Sequence, residues 1–428
     1  MVNNAYNYPV NGGYDSRAHL DYAKIISEQW RIPTFEETIE NYNPPLFYLI
    51  SGLVIKGFGQ ITNQEFFTAA KIWQYVNIVL AVVVSYLWYR IIKELYPKNK
   101  LDPKIFLLLL LTLPVWYKTI VMFSIETWFL FTVSLALWFF ITRFRIKQDL
   151  FNTVILGLIL VINLLSRLSA IVLVITVFFG LAGLAYTKKI SLRKTISTLV
   201  ILSILVSVGT VWFYFGKRHE GIYAVGEVSE PDVPFFQRQP LSFYIDIPFK
   251  LMMTYPMRQS IPINKLIPIY YSDFWGDFWN YYPQRRFGIT ISEVRQDREK
   301  SVPQRIKALV LQNQINLIPT ILIFFGFFTT LYKFLAKIKK PDFFWLVDGI
   351  MLMLTILSWA GFIALITKYP NWKGDSIKAS YMFYLMPVFI YFLFNLLVDL
   401  YKSKRIIFWP VSLWLTFAGL INLHFSWF

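Results

Sequence analysis

"ASYMFYLMPVFIYFLFNLLVDLYKSKRIIFWPVSLWLTFAGLINLHF", residues 379–425, holds two apolar runs of bilayer length separated by Lys402, Lys404 and Arg405. A run of about twenty apolar residues is long enough to cross the hydrocarbon core as a helix. Working back from this pair, similar runs recur at 72–92, 105–122, 127–142, 151–165, 170–186, 195–215, 309–332 and 343–367. Together they predict about ten membrane-spanning helices. Of the 428 residues, 56% are hydrophobic and only 16% charged, so the class expected is an all-α polytopic membrane protein.

The net charge of +17 does not point to nucleic acid, because the basic residues fall between apolar runs and not on one soluble face. With no cysteine the chain has no disulfide framework, no thiolate nucleophile and no Cys-based metal site. Any chemistry must use oxygen and nitrogen groups.

The connections between runs alternate in charge. Lys93/Lys98/Lys100/Lys104, Arg143/Arg145/Lys147, Lys188/Lys189/Arg193/Lys194, Lys333/Lys337/Lys339/Lys340 and Lys402/Lys404/Arg405 form one set, and the positive-inside rule makes it cytoplasmic. The other set holds Lys118, Arg167 and the 368–378 turn, so it faces out together with the opening 70 residues and the long 216–308 connection. The expected organisation is an outer segment over 1–70, spans over 71–215, an outer loop over 216–308 and spans over 309–428. No apolar stretch that could serve as a signal precedes the first run, and the polar start on the outer side leads to the expectation of a further span upstream of Met1.

The opening segment, "NGGYDSRAHLDYAKII", places Asp15, His19 and Tyr22 at i, i+4 and i+7, on one face of a helix. A carboxylate and an imidazole so placed can hold or abstract a proton. Equally, Asp15 fits as a helix N-cap. Metal binding by Asp15, His19 and Asp21 is less attractive, since Asp21 points to another face and a divalent metal is not otherwise indicated. Further on, "NPPLFYLISGLVIKGFG" predicts an interfacial helix capped by Asn43, with Pro44 and Pro45 in its first turn.

Glu126, in "FSIETWF", sits at the outer start of a span, where a carboxylate is either functional or a complement to the helix dipole. Arg167, in "LLSRLSA", can pair with Glu126 or meet an anionic substrate, although a snorkelling structural arginine is the simpler expectation. The long outer loop supplies Arg258, Lys265, Arg285 and Arg286, cations suited to gripping phosphate, and aromatics that include Trp275. Its segments "LSFYIDIPFKLMMTYPM" and "IYYSDFWGDFWNYY" read as short pieces lying in the membrane interface. Lys378 and Tyr381, at i and i+3, stand at the outer mouth of a span. His219 and His424 have no partner nearby in sequence and receive no role.

The order of "YDSRAHLDYAKII", "NPPLFYLISGLVIKGFG", "FSIET", "LLSRLSAIVLV", "YYSDFWGDFW" and "IKASYMFYLMP" resembles the C-type membrane glycosyltransferases. It is similar in particular to the bacterial relatives of protein O-mannosyltransferases and of lipid A aminoarabinose transferase. The chain departs in carrying Asp-Ser where many members have paired acids, and Asn43 where the aminoarabinose branch has lysine. The resemblance implies a multi-pass cell-membrane enzyme with its site on the extracytoplasmic side. It would transfer a sugar, with inversion, from a polyprenyl phosphate to a lipid, glycan or protein acceptor. Asp15 is then the base, with His19 and Glu126 beside it. Tyr22, Arg167, Arg258, Arg285, Arg286, Trp275, Lys378 and Tyr381 would bind substrate.

Two other functions compete. A polymerase or ligase of lipid-linked oligosaccharides would share the outer site. A transporter or flippase would concentrate polar groups at the membrane midplane, whereas here most charges lie at helix ends. The polar exceptions Gln74, Asn77, Asn163, Asn313 and Asn316 form no visible pathway in the sequence.

Overall fold

Where apolar runs end is decided by prolines and charges, and both act visibly here. The computed structural model describes residues 1–97, 101–219, 233–258, 264–282, 303–370 and 376–427, and among these every regular element is a helix. Eight helices are long and apolar enough to cross a membrane: Phe66–Leu95, Ile125–Phe144, Leu168–Tyr186, Leu192–Gly216, Pro303–Ala336, Phe343–Lys368, Ala379–Ser403 and Arg405–Phe425. The chain is a polytopic membrane protein.

Two of the ten expected spans fall short of that length. The 105–122 run is split into Lys104–Leu111 and Pro114–Ile120, because Pro114 drives the preceding Leu113 into an extended conformation. The 151–165 run forms the 15-residue helix Leu150–Leu164, roughly 22 Å long against a hydrocarbon core of about 30 Å.

Ala379–Ser403 is the central helix, with 89% of its most apolar window enclosed by protein, while Leu192–Gly216, at 22%, lies on the periphery. Close approach to the central helix depends on Gly326, where a Cβ would stand 2.2 Å from the Phe392 carbonyl oxygen. The described residues of the five basic connections gather at one end of the bundle, as their charge pattern predicts. There Arg145 pairs with Glu94 at 2.9 Å and lies 3.8 Å from the Phe343 ring centroid, Tyr186 donates to the Ile338 carbonyl, and Lys333 pairs with Asp399.

At the opposite end the first 65 residues build a second, smaller core. Leu20, Tyr22, Phe47, Tyr48 and Ile55 pack with Trp73 and Phe123 from the bundle. Its two helices, Ser16–Gln29 and Leu46–Thr62, touch at Gly52, where a Cβ would come within 2.2 Å of the Ala23 carbonyl oxygen. Pro44 and Pro45 precede Leu46–Thr62 and do not fill its first turn, and Asn43 does not cap it. The orphan amide of Leu46 instead donates to the Leu165 carbonyl at 3.0 Å, which ties this helix to the turn carrying Arg167.

The outer loop divides into two kinds of segment. Leu241–Ile245 and Phe249–Thr254 expose Leu241, Ile245 and Phe249, as an interfacial position requires. The "IYYSDFWGDFW" stretch does not lie in the interface. It forms the helix Leu266–Trp275 and the turn after it, with Tyr270, Tyr271, Phe274, Trp275 and Trp279 buried in the protein. Its two aspartates draw it inward, since Asp273 pairs with Lys118 and Asp277 with Arg305.

The polar residues within the apolar runs act as brackets. Gln74 donates to the Val121 carbonyl at 2.6 Å and Asn77 to that of Met122 at 3.1 Å. Asn163 donates to the Thr132 carbonyl, Asn313 to that of Met252, and Asn316 exchanges hydrogen bonds with Asn422.

Candidate functional site

The Gly12–Asp15 turn sets the geometry at the end opposite the basic connections. Gly13 has φ +97° and faces Met122, which a Cβ would approach to 2.8 Å. Asp15 follows in the left-handed region at φ 50°, a conformation that costs an L-residue energy and that Asp tolerates better than most. Although Asp15 occupies the N-cap position of Ser16–Gln29, its side chain makes no capping hydrogen bond. The capping alternative is therefore not what the fold uses. The carboxylate turns away from the helix and accepts a hydrogen bond from Lys378 Nζ at 2.7 Å. At 36% side-chain exposure Asp15 remains reachable, while Lys378 is 10% exposed.

A second ion pair stands beside the first. Arg167, in the turn before Leu168–Tyr186, is paired with Glu126 in the first turn of Ile125–Phe144, and both side chains are largely buried. The arginine is therefore paired and does not snorkel. Tyr381 lies between the two pairs, its ring centroid 5.3 Å from Lys378 and 5.4 Å from Arg167. Asp15, Glu126, Lys378 and Arg167 all act electrostatically on His19. The fold thus brings together six of the residues that the sequence singles out.

Behind the two pairs lies a buried, largely neutral layer. His19 Nδ1 is 2.8 Å from the Tyr48 hydroxyl and 3.6 Å from Glu40 Oε2, and Asn43 donates to the same Glu40 oxygen. Tyr22 belongs to this layer, since it stacks on Tyr48 at 3.8 Å and donates to the Asn43 carbonyl. Burial lowers His19 to about 4. Burial, reinforced by the negative charge of Asp15, raises Glu40 to about 8. At neutral pH His19 is therefore an uncharged imidazole and Glu40 a protonated acid, so their contact is not an ion pair.

The shift on Glu40 gives a pH signature. Between its ordinary 4.5 and about 8 the folded protein keeps a proton that the unfolded chain releases, so stability falls as pH rises through that window. Glu40→Gln copies the neutral acid and removes the dependence. We expect the two proteins to unfold alike near pH 5 in detergent. Wild type should become the less stable by on the order of a few kcal/mol near pH 8. His19 opposes this, losing stability as pH falls from 6.5 to about 4, but it does so equally in both proteins. A constant difference between the two from pH 5 to pH 8 would show that Glu40 is ionised in the fold.

The remaining predicted residues lie elsewhere. Trp275 donates its indole N–H to Thr320 at 2.7 Å and packs against Phe274, serving the joint between the loop and the Pro303–Ala336 span. Arg258 is one layer from the site. It lies 5.4 Å from the ring of Trp279, whose own N–H donates to the Ile377 carbonyl next to Lys378. Arg285 and Arg286 fall outside the described residues. Asp21 pairs with Arg17, and no group of three or more His, Asp or Glu among the described residues could hold a metal ion.

Sequence reasoning missed Glu40, Tyr14 and Asp273. Glu40 shares its stretch with Glu36 and Glu37, and only its place three residues before Asn43 in the rigid Pro-Pro entry could have singled it out. The chain matches no family model, no curated protein and no solved structure.

Proposed function

We propose that the chain is a membrane glycosyltransferase of the C type, moving a sugar from a polyprenyl-phosphate donor to an acceptor hydroxyl with inversion. The observation that carries this reading is Asp15, a reachable carboxylate in left-handed backbone, held by Lys378 and followed across Tyr381 by a second cation, Arg167. A glycosyl phosphate already has a good leaving group, so one base suffices where a glycosidase needs two carboxyls. Asp15 takes the proton of the acceptor hydroxyl as its oxygen forms the new bond to the anomeric carbon. The bond from that carbon to the phosphate oxygen breaks on the opposite face, and its electron pair leaves on the polyprenyl phosphate. Lys378 and Arg167 offset the charge that develops there.

The site lies at the end away from the five basic connections, and by the positive-inside rule that end is extracytoplasmic. Against transport stands the use made of the polar residues inside the apolar runs. Gln74, Asn77, Asn163 and Asn313 are engaged in bracing backbone and Asn316 in pairing with Asn422, and so do not serve as steps of a pathway.

The direct test is a panel of radiolabelled polyprenyl-phosphate sugars offered to membranes that express the chain. We expect label to reach an acceptor from one donor class, with the anomeric configuration inverted. Absence of transfer from every donor, in membranes that contain the folded protein, would overturn the proposal.

A further inference from the structure

We propose that Asp273 is the positioning residue for the Asp15–Lys378 pair, holding the chain neighbour of each member with one carboxylate oxygen. Tyr14, immediately before Asp15, donates its hydroxyl to Asp273 Oδ1 at 2.7 Å. The amide of Ala379, immediately after Lys378, donates to Asp273 Oδ2 at 2.7 Å. Asp15 and Lys378 are 363 positions apart, and this single buried side chain sets the two segments against each other.

The surroundings make the clamp stiff. Asp273 is fully buried, so its charge requires a buried partner, which Lys118 supplies at 2.6 Å while also donating to the Asp273 carbonyl at 2.7 Å. The same loop grips each segment once more. Trp279 donates to the Ile377 carbonyl at 2.8 Å, and the Tyr281 ring packs 4.6 Å from that of Tyr14. Asp273 acts on the pair through Tyr14, whose ring lies 5.2 Å from Lys378 Nζ, and through the Ala379 amide. It fixes where Asp15 points and how far Lys378 stands from it, so the outer loop controls the alignment of the base. This inference deepens the proposed function and rests on it for the role of Asp15.

The test separates position from folding. Asp273→Leu with Lys118→Met removes both oxygens of the clamp and its counter-charge together, a replacement that buried ion pairs commonly tolerate. Tyr14→Phe removes only the arm on the Asp15 side. Loss of a hydrogen bond to a charged acceptor should speed amide exchange roughly ten- to a hundredfold where it acts. The double variant should show this in residues 12–20 and 376–385 together, and Tyr14→Phe in 12–20 alone. Sugar transfer by the double variant should lose about tenfold or more in kcat with little change in KM, the mark of a misaligned base. Unchanged exchange in both segments of a folded double variant would overturn the clamp. So would a uniform rise that includes the basic end at 333–343, because Asp273 would then be a general stabiliser. Should the double variant fail to fold, Tyr14→Phe decides, and unchanged exchange over 12–20 would overturn the proposal. If wild type transfers no sugar, the functional proposal falls while the exchange results still judge the clamp.

Discussion

Asp15→Asn should reduce sugar transfer by about 10²- to 10⁴-fold, the range a positioned general base contributes, while leaving the protein folded. Asparagine suits this test for two reasons. It tolerates the left-handed backbone at φ 50° as well as aspartate does, so the Gly12–Asp15 turn keeps its shape. Its side-chain oxygen still accepts from Lys378, so that lysine is not stranded. What is lost is the capacity to take up a proton. Lys378, only 10% exposed, loses its counter-charge but keeps a hydrogen-bond acceptor, so the unfolding midpoint in detergent should fall, by less than when the acceptor is removed as well. Donor binding should persist, measured as retention of a labelled polyprenyl phosphate, because the cations are untouched. Transfer at the wild-type rate by Asp15→Asn would remove Asp15 from the role of base and leave it as a positioner of Lys378.

Much of this site was legible because membrane topology can be counted. Once the basic connections are assigned to one end, Asp15, Glu126, Arg167 and Lys378 must all emerge at the other, each at the mouth of a span or just outside one. Bringing them to one end of a bundle is most of the work of bringing them together. Of the i, i+4, i+7 set, His19 and Tyr22 share a buried face of the helix, while Asp15 stands ahead of its first residue in left-handed backbone and turns to Lys378.

What could not be read depends on long-range pairing or on choosing among like neighbours. Lys118 and Asp273 are 155 residues apart, and nothing in either local sequence names the other. The aromatics around Asp273 fit an interfacial belt and a buried plug equally well, and only the buried ion pairs decide between them. Glu36, Glu37 and Glu40 look alike in sequence. Glu37 is held at the surface by Arg31, while Glu40 is taken inward with Asn43. Pro114 was a visible signal outweighed by the apolar run around it. Arg167 was underestimated because snorkelling describes a side chain with water within reach, and this one is closed in by Tyr381, Phe129 and its partner Glu126.

That enclosure makes Arg167→Met the change with the largest expected effect on stability. The Glu126 carboxylate is 7% exposed, and removing its only ion-pair partner among the described residues strands a buried charge. Breaking such a pair from one side costs about 3–5 kcal/mol, and we expect the unfolding midpoint of Arg167→Met in detergent to fall accordingly. Replacing both members, as Glu126→Leu with Arg167→Met, removes the stranded charge along with the bond and should return stability to within about 1 kcal/mol of wild type. The restored fold then isolates function. If Arg167 offsets charge on the departing phosphate across Tyr381, the stable double variant should still transfer sugar about 10²- to 10³-fold more slowly, the loss seen when one preorganised electrostatic group is removed. A double variant that is both stable and fully active would show that the pair only holds two helix ends together, and would remove Arg167 from the groups that face the donor. An Arg167→Met protein as stable as wild type would mean instead that Glu126 finds water or a proton at no cost, which its burial beside the turn before Leu168–Tyr186 argues against.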